Sequence, residues 1–224
     1  MPRWDGTVAG ARALQLELAQ DVVLRDGFAK PLRVVAGLDV GFEQSGKITR
    51  AAAVLLDATT LLPVDSQVVR IPTSMPHTPG LSSFRELPAL LQVLEKLAQT
   101  PDLVFLGGHG VAHPQRLGTA AHFGIASGLP TIGVANQPLL GTFAVLHQIR
   151  GAYTPLRDRH EQVGWVLRSK PGCNPLFVSP GHRVAMASAA ELVMRFVTTY
   201  RLPEPTRLAE RIASRRDRSP GTIR

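Results

Sequence analysis

RVVAGLDVGF (residues 33–42) is an apolar run rich in β-branched residues and glycine, broken inside by one acid, Asp39. It is too short for a buried helix and reads as a buried strand. ITRAAAVLLD (48–57) and LPVDSQVVRI (62–71) follow after the short polar gaps EQSGK and ATTL. Turn-length gaps between strand-like runs predict a three-stranded antiparallel meander. Further on, DLVFLGG (102–108) and PTIGVA (130–135) bracket RLGTAAHFGIAS (116–127), a pattern that predicts a parallel βαβ unit. EQVGWVLRS (161–169) and PLFVS (175–179) read as additional strands. Helical spacing marks 8–25, 84–99, 186–200 and 205–216, and PTSMPHTPGLSS (72–83) reads as a Pro-rich loop. The fold class is therefore α/β, with a mixed sheet flanked by helices. No repeat or composition shift divides the chain, so one domain is expected over 1–224, with a basic tail from about residue 213.

Composition narrows the function. The chain has 224 residues, 44% of them hydrophobic but only 5% aromatic, enough for a core of Leu, Val, Ala and Ile. A single cysteine, Cys173, excludes an intrachain disulfide framework and a Cys-cluster zinc site, and it reads as a small buried apolar residue. No apolar run is long enough to span a membrane and no signal-peptide pattern opens the chain, so a soluble, monomeric, cytoplasmic protein is expected. The formal net charge is +8, and residues 201–224 hold seven Arg against three acids. Such a balance suits a nucleic-acid partner, and a solvated tail equally well.

Asp39 shares a strand face with Val35, Gly37 and Gly41, and the flanking glycines suggest open space around its carboxylate. A carboxylate in a buried strand must be paired, protonated or metal-bound. Glu86 follows Ser83 in a capping-box spacing, but Pro88 implies a later helix start that frees Glu86 for other work. GGHGVAHPQR (107–116) follows a strand, where α/β sheets favour ligands; His109 and His113 could be acid–base groups, metal ligands or plain loop residues. SPGHRV (179–184) puts His182 and Arg183 before a helix, as a phosphate site or a simple turn.

Taken together, GLDVGFE (37–43), ITRAA (48–52), TSMPHTPGLSSFRE (73–86), GGHGVAHPQRLG (107–118), PTIGVA (130–135), CNPLFVSPGHRV (173–184) and YRLPEPTRLAE (200–210) strongly resemble endonuclease V. The resemblance implies a ribonuclease H-like fold. It implies Mg²⁺-dependent cleavage, with Mn²⁺ able to substitute, one nucleotide to the 3′ side of inosine in DNA or RNA. By position, Asp39 and Glu86 match metal-binding acids, and His113 and His182 match active-site histidines. Pro76, His77, Thr78 and Pro79 match the strand-opening wedge, and Gly80 matches a glycine of the base pocket. Gly108, Arg116, Asn136 and Arg183 fall at the nucleic-acid surface.

The chain also departs from that pattern. Where the family reads D-G-H-G, this chain has Gly107-Gly108-His109-Gly110, so the second metal carboxylate is missing. The family's V-A-K is Val134-Ala135-Asn136, wedge tyrosine and isoleucine are His77 and Thr78, and a pocket leucine is Ser82. The departures lead to an expectation of impaired or lost nuclease activity. The alternatives are a working Mg²⁺ endonuclease and a non-enzymatic module that binds lesions or structured strands.

Overall fold

The computed structural model describes residues 4–214; all but the first residues of the expected basic tail lie outside that range. Among the described residues eight strands form one mixed sheet: β1 (Val34–Glu43), β2 (Ile48–Asp57), β3 (Pro63–Pro72), β4 (Leu103–Gly107), β5 (Thr131–Ala135), β6 (Tyr153–Asp158), β7 (Glu161–Leu167) and β8 (Leu176–His182). Their spatial order is β3-β2-β1-β4-β5-β8-β7-β6. The β1–β2–β3 meander is antiparallel, and β4 lies parallel to β1 and β5 parallel to β4.

Five helices of the described residues cover the sheet: α1 (Val8–Leu18), α2 (Ser82–Glu95), α3 (Thr119–Ser127), α4 (Met186–Arg195) and α5 (Glu204–Ala213). Alternation along β1 assigns the faces. Ala36 and Leu38 pack with Leu90, Val93 and Phe123 of α2 and α3. Val35 packs with Val193 and Ala209 of α4 and α5. A smaller cluster joins Leu14 and Leu18 of α1 to Phe84 and Leu117. No helix among the described residues is long and apolar enough to cross a membrane.

The structure corrects several sequence expectations. The first helix stops at Leu18 rather than residue 25, because the chain leaves it to bond the end of β8 and the residue after it: Val23 N–H donates to His182 Nδ1 at 3.3 Å and Arg183 N–H to Val23 O at 2.6 Å. The α2 helix begins at Ser82, earlier than Pro88 suggested, and keeps Pro88 inside it. The missing N–H at Pro88 frees a carbonyl one turn back, and the Ser74 hydroxyl donates to Phe84 O at 3.2 Å. The turn expected at Pro180–Gly181 is instead strand, with a register irregularity between Thr131 and Ile132 opposite it. A proline is tolerated at such a bulge because no ladder donor is required there. The edge strand β6 carries Pro155 among polar neighbours, which hid it from periodicity. Cys173 is only half-buried.

The glycines beside Asp39 do not create open space. A Cβ on Gly37 would lie 2.8 Å from Pro205 Cα, and one on Gly41 3.2 Å from the Ala213 carbonyl carbon. Their lack of a side chain lets the α5 backbone press directly onto β1.

Candidate active site

Registration places the key strand ends side by side. Leu38 of β1 pairs with Leu106 of β4, so Asp39 stands level with Gly107. A Cβ on Gly107 would lie 2.9 Å from Asp39 Cγ and closer still to Oδ1. Gly107 is therefore the point of β4 that the Asp39 carboxylate faces. The predicted adjacency of β1 and β4 holds.

Asp39 projects to the α5 side of the sheet and lines a cleft of about 410 Å³ with Gly107, His109, Asn136, Thr206 and Glu210. Glu86 projects from α2 on the opposite side and lines a cleft of about 230 Å³ with Gly80, Ser82, His113, Thr119 and Leu139. Gly107, Gly108 and His109 line both clefts. The two acids thus approach the end of β4 from opposite faces of the sheet.

Electrostatics reflects that convergence. Burial pushes the Asp39 carboxyl up to about 6, and the Glu210 charge adds to this, against the Val40 amide that donates to Oδ1 at 2.9 Å. Burial pushes Glu86 up to about 7, opposed by the Thr119 hydroxyl, which donates to Oε2 at 2.8 Å, while the Asp39 charge raises it further. Neither acid owes its shift to a cation pressed against it. His109 Nδ1 and Thr206 Oγ1, on residues lining the larger cleft, are buried without a hydrogen-bond partner.

This donor set suits a hard divalent cation. Mg²⁺ keeps several waters and needs one or two carboxylates plus substrate oxygens rather than a closed protein cage. No three His, Cys, Asp or Glu side chains among the described residues gather into such a cage. Asp102, on the same strand approach, is committed elsewhere: its Oδ2 accepts from Arg33 N at 2.7 Å and Val34 N at 3.1 Å.

Other predicted residues divide between site and scaffold. His113 lies in the Glu86 cleft, where burial pushes it down to about 4, so its imidazole is neutral at pH 7. Pro76, His77 and Pro79 stand exposed on the loop before α2, with Thr78 half-buried and Gly80 in the left-handed region at φ 79°. Gly108 lies between the clefts at φ 118°. Asn136 lines the larger cleft, and its Oδ1 accepts from Arg201 Nη1 at 2.9 Å.

Three residues stand apart from the acids or have their charge spent. His182 pairs with Thr131, at the far end of β5 from the Gly107–Val134 pair, and its Nδ1 accepts from Val23 N at 3.3 Å. Three residues of strand are about 10 Å, so His182 does not join the carboxylate clefts. Arg183 follows the end of β8 and precedes α4, as the sequence suggested, but its guanidinium is spent on the carbonyls of Gly128 and Gly27, to which it donates at 2.9 and 3.2 Å. Arg116, at φ 57°, is ion-paired at 2.8 Å with both Asp158 and Glu161, fastening the loop after β4 to the β6–β7 hairpin.

Comparison with known proteins follows the same outline. The family profile described as Endonuclease V matches residues 16–211. The chain belongs to the endonuclease V family. An endonuclease V of Azotobacter vinelandii is 64% identical over 213 residues, covering 95% of this chain and 96% of the relative. One of Xanthomonas campestris is 61% identical over 213 residues, covering 95% and 90%. The crystal structure of the Streptomyces avermitilis endonuclease V superposes with a TM-score of 0.88 at 40% identity, covering 94% of this chain and 92% of that one. The mixed eight-stranded sheet is accordingly the ribonuclease H-like fold of endonuclease V.

Two site residues escaped the sequence reading. Glu210 is one, brought into the Asp39 cleft by α5. Its signal was present: Thr206, Glu210 and Ala213 recur at helical spacing, putting an acid on the stripe that packs against β1. Arg201 is the other; besides Asn136, it donates to the carbonyls of Asn174 and Pro175 at 2.7 and 3.1 Å. Nothing in local periodicity links residue 201 to residue 136.

Proposed function

We propose that this chain is a divalent-cation-dependent endonuclease that cuts the phosphodiester on the 3′ side of inosine in DNA or RNA. The observation that carries this reading is the meeting of Asp39 and Glu86, from opposite faces of the sheet, at the open end of β4. In this reading Asp39 and Glu86 would hold Mg²⁺ or Mn²⁺ together with substrate oxygens, with the Glu210 charge beside Asp39 in the same cleft. When bound, such a cation lowers the pKa of a water and offsets charge on a scissile phosphate. The chain's own contribution is placement. Thr119 fixes the Glu86 carboxylate, the Val40 amide fixes that of Asp39, and Gly108 leaves both clefts open to one backbone. The Pro76–Pro79 loop parts the strands, Gly80 edges the base pocket, and Arg201 sets a cation beside Asn136.

A second reading, binding with impaired cleavage, is favoured by one feature: Gly107 offers no oxygen where the Asp39 carboxylate faces β4. Identity above 60% to named endonucleases V favours the active reading.

Single-turnover assays on an inosine-containing strand and its adenosine counterpart, with Mg²⁺ or Mn²⁺, decide between them. The active reading expects a cut at one bond near inosine, none in the adenosine strand, and none after chelation. Specific binding without any cut would establish the second.

A further inference from the structure

A third cleft, of about 540 Å³, lies between α1 and the loop before α2. It is larger than the Glu86 cleft and has Gly80 and Leu139 in common with it. Its remaining walls include Arg12 and Leu16 of α1, Pro79, and Gln115.

The α1 wall is held firmly. Gln15 is buried at 2% exposure, and its amide donates to the Gly80 and Leu117 carbonyls at 2.9 and 3.3 Å. On the same wall Leu16 is 58% exposed, and across from it Leu139 is 50% exposed. Fold stability does not account for two leucines facing water across a concavity. Among the described residues lining it Arg12 is the one cation, and none of them is an acid.

We propose that this cleft is a second nucleoside subsite, which takes the unpaired nucleoside adjoining the one seated in the Glu86 cleft. The inference rests on the nucleic-acid reading of the neighbouring site. The volume falls in the range of small-molecule sites, which are mostly apolar with few polar groups. Leu16 and Leu139 cover a base face, the Gln115 amide meets a polar edge, and Arg12 meets the phosphate. The shared wall at Gly80 and Leu139 lets one strand occupy both clefts, beside the Pro76–Pro79 loop that parts it from its complement. A described lining with Arg12 and no acid suits a polyanion and disfavours a basic peptide.

The test is a binding cycle on the full chain. Affinity for an inosine-containing single strand is measured for wild type, Leu16→Asp and Arg12→Gln. Each is repeated with an abasic residue replacing the nucleoside on either side of inosine in turn. Wild type is expected to lose about tenfold in affinity for one of the two abasic strands, the order set by uncovering one base. Leu16→Asp should lose about as much on the intact strand and little more on that abasic strand, because both changes remove one contact. Arg12→Gln should weaken every strand and flatten the salt dependence by about one phosphate contact. Losses from Leu16→Asp and the abasic residue that simply add, or variants that bind as wild type does, would overturn the subsite. Should wild type bind none of these strands, the nucleic-acid reading fails and the subsite with it. Tight binding of an unrelated protein at α1, lost in Leu16→Asp while strand affinity is unchanged, would make the cleft a protein-docking surface and likewise overturn the proposal.

Discussion

Gly107→Asp is expected to raise Mn²⁺ affinity by more than tenfold and to raise the cleavage rate of an inosine-containing strand. Gly107 does not have a positive φ, so its backbone accepts an L side chain. The nearest neighbours of the added Cβ are atoms of the Asp39 carboxylate, the free end of a side chain, which must rotate and give up its bond from Val40. Two unit charges 4 Å apart at an effective dielectric near 20 interact by about 4 kcal/mol, and a divalent cation doubles that. If desolvation leaves about 2 kcal/mol of the gain, affinity still rises more than tenfold. The same arithmetic works against the variant without metal, because a new acid then joins Asp39 and Glu210. Its metal-free thermal midpoint should fall below that of wild type and recover with Mn²⁺. Calorimetric titration and thermal melts check both halves. A folded variant with wild-type Mn²⁺ affinity would show that Gly107 does not face the cation.

Glu86→Gln should have the opposite balance, gaining stability while losing cleavage by on the order of a hundredfold, because a bound cation supplies several kcal/mol of transition-state stabilisation and about 2.7 kcal/mol of it is a hundredfold. Glu86 ionises near 7 in the fold against 4.5 as a free group. The unfolded chain therefore releases its proton first as pH rises. The stability that Glu86 contributes is full below pH 4.5 and is lost as pH rises through 7. A shift of this size is worth about 3 kcal/mol, or several degrees of melting temperature in a chain of this length. Glutamine keeps the acceptor for the Thr119 hydroxyl and removes the charge. The metal-free variant should melt several degrees above wild type at pH 8 and close to it at pH 4.5. His113 and His122, both held near 4 by burial, act in the other sense and lose stability as pH falls from 6.5 toward 4. That acid-side loss should persist in the variant. Equal midpoints at pH 8 would mean that Glu86 is not a buried, strained charge.

Much of this architecture was legible in local pattern. The short apolar runs at 33–42 and 102–107 predicted two adjacent strands, and the register of Leu38 with Leu106 brings Asp39 level with Gly107. Glu86 was legible through resemblance, though the reason for its freedom was not: α2 starts earlier than Pro88 suggested, and Ser83 turns instead to His122, 3.0 Å away. What local pattern missed depends on long-range packing. The glycines at 37 and 41 read as space, yet they admit the α5 backbone, a partner more than 160 residues away in sequence. Glu210 enters the site only through that contact. His182 and Arg183 looked like site residues because of their neighbours in sequence, whereas β8 carries them to the far end of β5, where Val23, Gly27 and Gly128 engage them.

The cleavage reading requires that a divalent cation bind where the Asp39 and Glu86 clefts meet. Calorimetric titration of Mn²⁺ into wild type and Asp39→Asn at pH 8, where the wild-type carboxylate is ionised, tests it most directly. The expected result is a saturable site in wild type that is weakened at least tenfold in Asp39→Asn, with the variant folded as wild type is. Identical Mn²⁺ isotherms for the two proteins, or no binding by either, would contradict it.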